Sequence, residues 1–319
     1  MNTHATAINT PLDHSLKQAL DQVVDQASQI ILGKEHEIRL ALSCQLARGH
    51  LLIEDQPGVG KTTLAHVLAQ TLGLQYNRIQ FTSDLLPADI LGVSIFNKEQ
   101  GAFRFQPGPI FAELILADEI NRATPKAQSA LLEAMEEHQV TIEGETRSLP
   151  NPFFVIATQN PTYQTGTFPL PESQLDRFLM RISLGYPDAK AERDLLAGGD
   201  RREMLKAMQA KVNPEQLVKI QNAVTNIHVS DALLDYVQAL LNYSRQSSQI
   251  AAGLSPRAGL ALLRCAQAWA LMAERDHVLP EDVQTVLPHV VSHRLRPVAD
   301  SGEQNPAALM SLLESVPIP

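Results

Sequence analysis

The run HLLIEDQPGVGKTTLAHVLAQTLG, His50–Gly73, decides how the rest of the chain is read. HLLIE is an apolar run of strand length, LAHVLAQTLG repeats its apolar residues at helical intervals, and DQPGVGKTT, Asp55–Thr63, joins the two. Strand, glycine-bearing loop and helix together let backbone N–H groups wrap a phosphate, while a lysine reaches its outer oxygens and a hydroxyl faces a metal ion. Such loops follow G-x-x-x-x-G-K-[ST]. Gly60, Lys61 and Thr62 match, and Asp55 stands where the first glycine is usual. Aspartate tolerates turn conformations and can bond nearby backbone. Pro57 stiffens the middle of the loop, Gly58 supplies freedom beside it, and a helix starting near Thr62 aims its positive end at the same place. Pro57, Gly58, Val59, Gly60, Lys61, Thr62 and Thr63 are therefore candidate phosphate-binding residues, and Thr62 is also a candidate metal ligand.

Outward from this run, the first half alternates short β-type segments with longer helical ones, which predicts a parallel sheet covered by helices on both faces. The predicted strands are HLLIE, YNRIQF, ELILADE, FFVIAT and MRISL. From about Lys190 the β-type runs stop. Leu217, Ile220, Val224 and Ile227 form one helical stripe, and Leu233, Val237, Leu240 and Leu241 form the next. The chain thus divides into an α/β unit over residues 1–188 and a smaller all-helical unit over 189–319. DRREMLKAMQAKVNPEQ reads as part linker and part exposed helix, and RPVADSGEQNP as a loop before a short terminal helix.

Composition narrows the function classes. A chain of 319 residues with 44% apolar content has ample material for a core, and a formal charge of -9 argues against a main role in coating nucleic-acid backbones. Two cysteines in apolar, helix-like surroundings suggest no disulfide framework, and the ten histidines read as surface or satisfied core residues. MNTHATAINT lacks the basic start and apolar centre of a signal peptide, and no run approaches the ~18 apolar residues of a membrane span. A cytoplasmic location is expected.

Hydrolysis needs more than a phosphate loop: a carboxylate to hold the metal and a group to orient water. LILADEINRA ends a strand with Asp118 and Glu119, at the edge where ligands bind in open α/β sheets. Asp118 suits the metal and Glu119 the attacking water. FFVIATQNP brings Asn160 to the same edge, where its amide could hold that water. Adjacent acids also suit a helix N-terminus, and Asn before Pro also suits a turn. Convergence with the phosphate loop favours the reading as a site.

Together these segments resemble the AAA+ ATPases, and within them the MoxR branch. The resemblance runs from IILGKEHEIRLAL through DQPGVGKTTLA, FQPGPIFAELILADEINRATPKAQSALLEAMEE and FFVIATQNP to LPESQLDRFLMRI and LSPRAGLALLRCAQAWA; ADEINRA and LDRF are its most specific parts. It implies a P-loop αβα core with a five-stranded, mainly parallel sheet and an all-α lid, and ATP with Mg²⁺ as cofactors. Lys61 and Thr62 then match the phosphate-loop lysine and metal-binding hydroxyl, Asp118 the metal-holding acid, Glu119 the catalytic glutamate and Asn160 the first sensor. Arg177 in LDRF looks like the arginine finger that enters a neighbouring subunit's ATP site. Arg257 in LSPRAG is similar to the second sensor, a lid arginine that touches the γ-phosphate and would couple nucleotide state to the lid angle. Ile31, Leu32 and Gly33 match the segment lining the adenine pocket.

What the family implies is a homo-oligomer, expected to be a hexameric ring, that remodels a protein client, often one with a von Willebrand factor A domain and a metal site. Two other classes stay open at this stage: a nucleotide-gated binding module with little hydrolysis, and a DNA-directed motor or transcription activator. GAFRFQPGP begins like the activator signature GAFTGA but lacks its Thr-Gly-Ala. VSIFNKEQGAFRFQPGPI and VTIEGETRSL read as hairpins turning at Asn97–Gly101 and Glu143–Glu145. Such inserts project from the core in this branch and are expected to touch substrate. Phe96, Phe103 and Phe105 could equally fill core positions.

Overall fold

The computed structural model describes residues 14–160, 166–198, 201–298 and 306–318. Two helices, α1 (His14–Ile30) and α2 (Glu35–Leu46), precede β1 (Leu51–Glu54), α3 (Lys61–Thr71) and β2 (Tyr76–Gln80). A short α4 (Pro87–Leu91) leads into the hairpin β3 (Gly92–Asn97) and β4 (Ala102–Pro107). Then come β5 (Leu114–Asp118), α5 (Pro125–Glu137), the hairpin β6 (Gln139–Ile142) and β7 (Glu145–Ser148), β8 (Phe154–Gln159), α6 (Glu172–Leu175) and β9 (Met180–Ile182). The main sheet runs β2-β5-β8-β1-β9 and every pairing in it is parallel. Its five strands are the five read from the sequence.

Side-chain alternation splits the core into two layers. Leu51, Ile53, Leu116 and Ile156 face one side, and Leu52, Ile115, Ala117, Val155 and Ala157 face the other, all with no exposure. Strands buried on both faces must be apolar throughout, which is why their sequences read as continuous runs and not as alternating patterns.

Helices α7 (Ala189–Ala197), α8 (Arg201–Ala207), α9 (Pro214–Val224), α10 (Asp231–Gln246), α11 (Pro256–Met272), α12 (Pro280–Val291) and α13 (Pro306–Glu314) follow. Leu217, Ile220 and Val224 are buried along α9, and Leu233, Val237 and Leu240 along α10, so the helical stripes do face a core. That core is continuous with the first sheet layer, and α11 packs against α2. The second half is helical with one addition. β10 (Ile250–Ala252) pairs antiparallel with β11 (Arg296–Pro297), a ribbon too short for its alternation to stand out in the sequence. The segment DRREMLKAMQAKVNPEQ, read as part linker and part exposed helix, holds α8, a stretch without regular structure over 208–213 and the start of α9, with its first residue outside the described residues; the loop RPVADSGEQNP also lies partly outside them.

Both hairpins form where the turn residues call for them. Asn97 Oδ1 accepts the N–H groups of Glu99 and Gln100, and Glu143 and Gly144 both take left-handed backbone angles, φ 52° and 83°. Phe96 and Phe103 do not fill a core: they are 50% and 73% exposed and pack edge-on against each other. Phe105 instead carries the guanidinium of Arg147, 4.0 Å above its ring, so the second hairpin leans on the first.

Candidate nucleotide site and arginine cavity

The phosphate loop leaves the carboxyl end of β1. Gly58 and Gly60 have φ of 86° and 98°, which β-carbon-bearing residues rarely adopt, and the space beside both is open. Gly60 caps α3 without any side-chain acceptor, so the first N–H groups of the helix face that space unclaimed by a cap. Lys61 begins the helix and is buried; Thr62 and Thr63 follow, half-buried on its first turn. A cradle of this kind fits a phosphate chain.

Asp55 is not a damaged glycine but a strut. Its carboxylate accepts the Ser183 hydroxyl at 2.9 Å, the Gly185 N–H at 2.6 Å and the Gln56 N–H at 2.8 Å, fastening the loop to the chain leaving β9. Burial would raise its pKa, but the bonds from Gly185, Ser183, Gln56 and Leu184 outweigh it and hold the carboxyl below its usual range. Gly33 lies nearby, because a β-carbon there would stand 3.0 Å from Ala191 and 3.7 Å from the Asp188 carboxylate. Ile31 is buried, Leu32 half-buried, and Gly33 turns the chain between α1 and α2 at φ 69°. The segment 31–33 and the phosphate loop therefore meet the same crossing, residues 183–191.

Lys61, Glu119 and Asn160 converge. The Lys61 ammonium donates to the Asp55 carbonyl and, at 2.9 Å, to Asn160 Oδ1; Asn160 Nδ2 donates to Glu119 Oε1 at 3.2 Å. Burial lowers the pKa of Lys61, opposed by Asp55, Asp118, Glu119 and Glu54. Glu119 has φ 56°, a left-handed conformation that costs about 1–2 kcal/mol in a residue with a β-carbon. Its N–H is held by Thr158 Oγ1 at 2.9 Å, and its carboxylate also accepts from Gln80 at 3.1 Å and Arg122 at 2.8 Å.

Four partners of the acids escaped the sequence reading: Arg78, Gln80, Arg122 and Thr158. Arg78 donates to Asp118 Oδ2 at 2.6 and 3.1 Å, and the buried Thr158 hydroxyl donates to Asp118 Oδ1. Thr158 closes FFVIAT and Gln80 closes YNRIQ, so both end strands at the working edge of the sheet. That position was the available signal.

Arg177 and Arg257 are elsewhere. A cavity of about 220 Å³ is bounded by both of them, by Arg48, Arg264 and Arg294, and by Gly49, His50 and Leu179; none of its lining residues belongs to the phosphate loop. Gly49 and His50 lead into β1 and Leu179 leads into β9, so this cavity sits at the amino end of the strands whose carboxyl ends carry the phosphate loop. Arg177 Nη2 lies 3.1 Å from Glu136 Oε2, and Arg257 Nη1 lies 3.2 Å from Glu136 Oε1.

The segment bearing Arg177 is fixed by the end of α12. Arg294, 6% exposed, donates to Asp176 Oδ1 at 2.7 Å and to the Phe178 carbonyl at 2.7 Å, and His293 Nε2 meets that carbonyl at 3.0 Å. His50 is buried with both nitrogens engaged: Nδ1 accepts the Val155 N–H at 3.0 Å, and Nε2 meets the Met135 carbonyl at 3.2 Å. Burial, with a smaller contribution from His138, lowers its pKa to about 4, while the Met135 carbonyl opposes the shift. The described residues contain no helix long and apolar enough to cross a membrane and no cluster of three metal-binding His, Cys, Asp or Glu side chains.

A parallel sheet with a phosphate loop, paired acids and a strand-end asparagine at its carboxyl edge, followed by a helical lid, defines an AAA+ ATPase. Residues 50–180 match the family model described as ATPase family associated with various cellular activities, and residues 242–311 match the AAA lid domain. YeaC of Bacillus subtilis is 42% identical over 95% of this chain and 96% of its own, and the chaperone MoxR1 of Mycobacterium tuberculosis is 41% identical over 88% and 76%. A crystal structure of a Cytophaga hutchinsonii protein superposes with a TM-score of 0.86 at 37% identity, covering 95% of this chain and 96% of that one. The chain belongs to the MoxR family of AAA+ ATPases.

Proposed function

We propose that the protein hydrolyses Mg·ATP as a ring of identical subunits, expected to be six, and uses the energy as a chaperone-like remodeller of a protein client in the cytoplasm. Residues 1–188 form the nucleotide-binding unit and 189–319 the lid. One observation carries the reading: the arginines suited to the γ-phosphate stand at the opposite end of β1 from the phosphate loop. A four-residue strand spans about 13 Å, so neither guanidinium reaches its own chain's γ-phosphate without the fold coming apart. Each is left to act on a neighbour's in the proposed ring.

Lys61 binds the β and γ oxygens, and the N–H groups of residues 58–63 cradle the phosphate chain. Ile31, Leu32 and Gly33 cover the adenine. Thr62 and Asp118 are oxygen donors suited to Mg²⁺, which when bound neutralises phosphate charge and orients the oxygens. Glu119 takes the proton of the attacking water, and Asn160, already bonded to both Lys61 and Glu119, holds that water in line. Arg177 and Arg257 of one subunit then meet the charge that develops on the γ-phosphate of the next. A guanidinium so placed is worth about 10³–10⁵ in rate, or roughly 4–7 kcal/mol. Because Arg257 is on the lid, hydrolysis next door releases the lid here.

MoxR1, named a chaperone, supports the client reading. The exposed Phe96 and Phe103 offer such a client an apolar contact, and a von Willebrand factor A domain is the client type to test first. The decisive measurement is Mg-dependent ATP turnover per subunit across a range of protein concentration. It should rise with concentration to a plateau. Turnover independent of concentration overturns the shared site, and no turnover at any concentration overturns the ATPase.

A further inference from the structure

We propose that Glu136 is the positioning residue of the arginine pair that serves the neighbouring subunit; the inference rests on the reading that Arg177 and Arg257 act across the interface. Glu136 lies in the last turn of α5, just before His138 leaves the helix with φ 51°. A carboxylate is disfavoured at a helix C-terminus, where carbonyl oxygens already concentrate negative charge. Here two guanidiniums compensate, one per oxygen, at 3.1 and 3.2 Å.

The two arginines come from different parts of the fold, one beside α6 and the other at the start of α11. Two cations brought this close repel unless an anion sits between them. Asp176, the other acid on the cavity, is taken by Arg294, which leaves Glu136 as the acid bonded to both arginines among the described residues.

Bridging does not consume the pair. A guanidinium has five N–H donors, and each arginine has one nitrogen on Glu136. Among the described residues the remaining donors have no other partner, so they can bind a second anion. One carboxylate against two guanidiniums leaves a net positive charge, and Arg48 and Arg264 add to it on the same cavity. Arg264 follows Arg257 by two turns of α11, so both lie along one side of that helix. A γ-phosphate arriving from the next subunit thus meets two donors already side by side, with their ordering cost met before the encounter.

The test is Glu136→Gln, which keeps the shape and one acceptor oxygen but removes the charge. Turnover at saturating ATP should fall about tenfold, while KM for ATP, ring size and melting temperature stay at wild-type values. Glu136→Asp, which keeps the charge on a shorter arm, should recover part of the loss. Mixing Glu136→Gln with Lys61→Ala subunits, whose phosphate loop is disabled but whose arginines are intact, should raise activity above the sum of the separate proteins. Wild-type turnover in Glu136→Gln, or a loss that Lys61→Ala subunits do not relieve while they do relieve Arg177→Ala, overturns the role of Glu136 alone. If Arg177→Ala is not relieved either, the trans reading falls and this inference with it.

Discussion

The two ends of β1 present opposite arrangements. At its carboxyl end the ionic side chains are bonded to one another: Lys61 to Asn160, Asn160 to Glu119, Glu119 to Gln80 and Arg122, and Asp118 to Arg78 and Thr158. At its amino end, arginines ring an open cavity, and among the described residues Glu136 alone ties Arg177 to Arg257. In the proposed reading the first supplies the nucleotide-binding groups and the second the cations for the transition state, which would be the physical motive for the proposed ring.

The largest effect should come from removing the borrowed cation. Arg177→Ala should lower turnover about 10³-fold with nucleotide affinity of the isolated subunit unchanged, measured by steady-state ATPase beside equilibrium binding; an equal loss of affinity would put Arg177 on its own chain's nucleotide and erase the contrast. Next, Glu119→Gln should cut turnover about 10²-fold or more and leave ATP bound, so a nucleotide-loaded complex should outlast gel filtration. Rapid turnover in this variant would move the base elsewhere.

Asp55→Ala probes the carboxyl end as a structure. Deleting a carboxylate that accepts from Ser183, Gly185 and Gln56 should cost about 2 kcal/mol, read as a lower urea midpoint, and should loosen ATP binding because loop and crossing separate. An unchanged midpoint would make the strut ornamental. Acidification probes the amino end. His50 folds with its pKa near 4 against an ordinary value of 6.5, so the unfolded chain takes the proton first. The stability held above pH 6.5 is lost as pH falls toward 4, by about 1–2 kcal/mol at pH 5. His50→Gln should flatten that slope between pH 7 and 5, and an unaltered slope would assign it to other groups.

Legibility in the sequence followed the range of the interactions. Gly58 and Gly60 announce left-handed turns, strand-ending acids announce a ligand edge, and both hairpins declare themselves through Asn97, Gly101 and Gly144, because each requirement is met within a few residues. Asp55 looked like a departure from the pattern because its partners, Ser183 and Gly185, lie far along the chain. Arg78 and Thr158 went unnoticed for the same reason: cross-strand neighbours are set by sheet order, which no local pattern prints. The strands β10 and β11 are three and two residues long, below the length at which alternation can be recognised.

The sequence by itself determined the phosphate loop, the five strands, the acids at their edge and the change to helices, since backbone angle and side-chain periodicity are properties of neighbouring residues. Only the tertiary structure decided where Arg177 and Arg257 point. Their meeting at Glu136 depends on α11 lying against α2 and on Arg294 fastening the turn before β9. Those contacts join distant segments through packing, and packing exists only once the whole chain has folded.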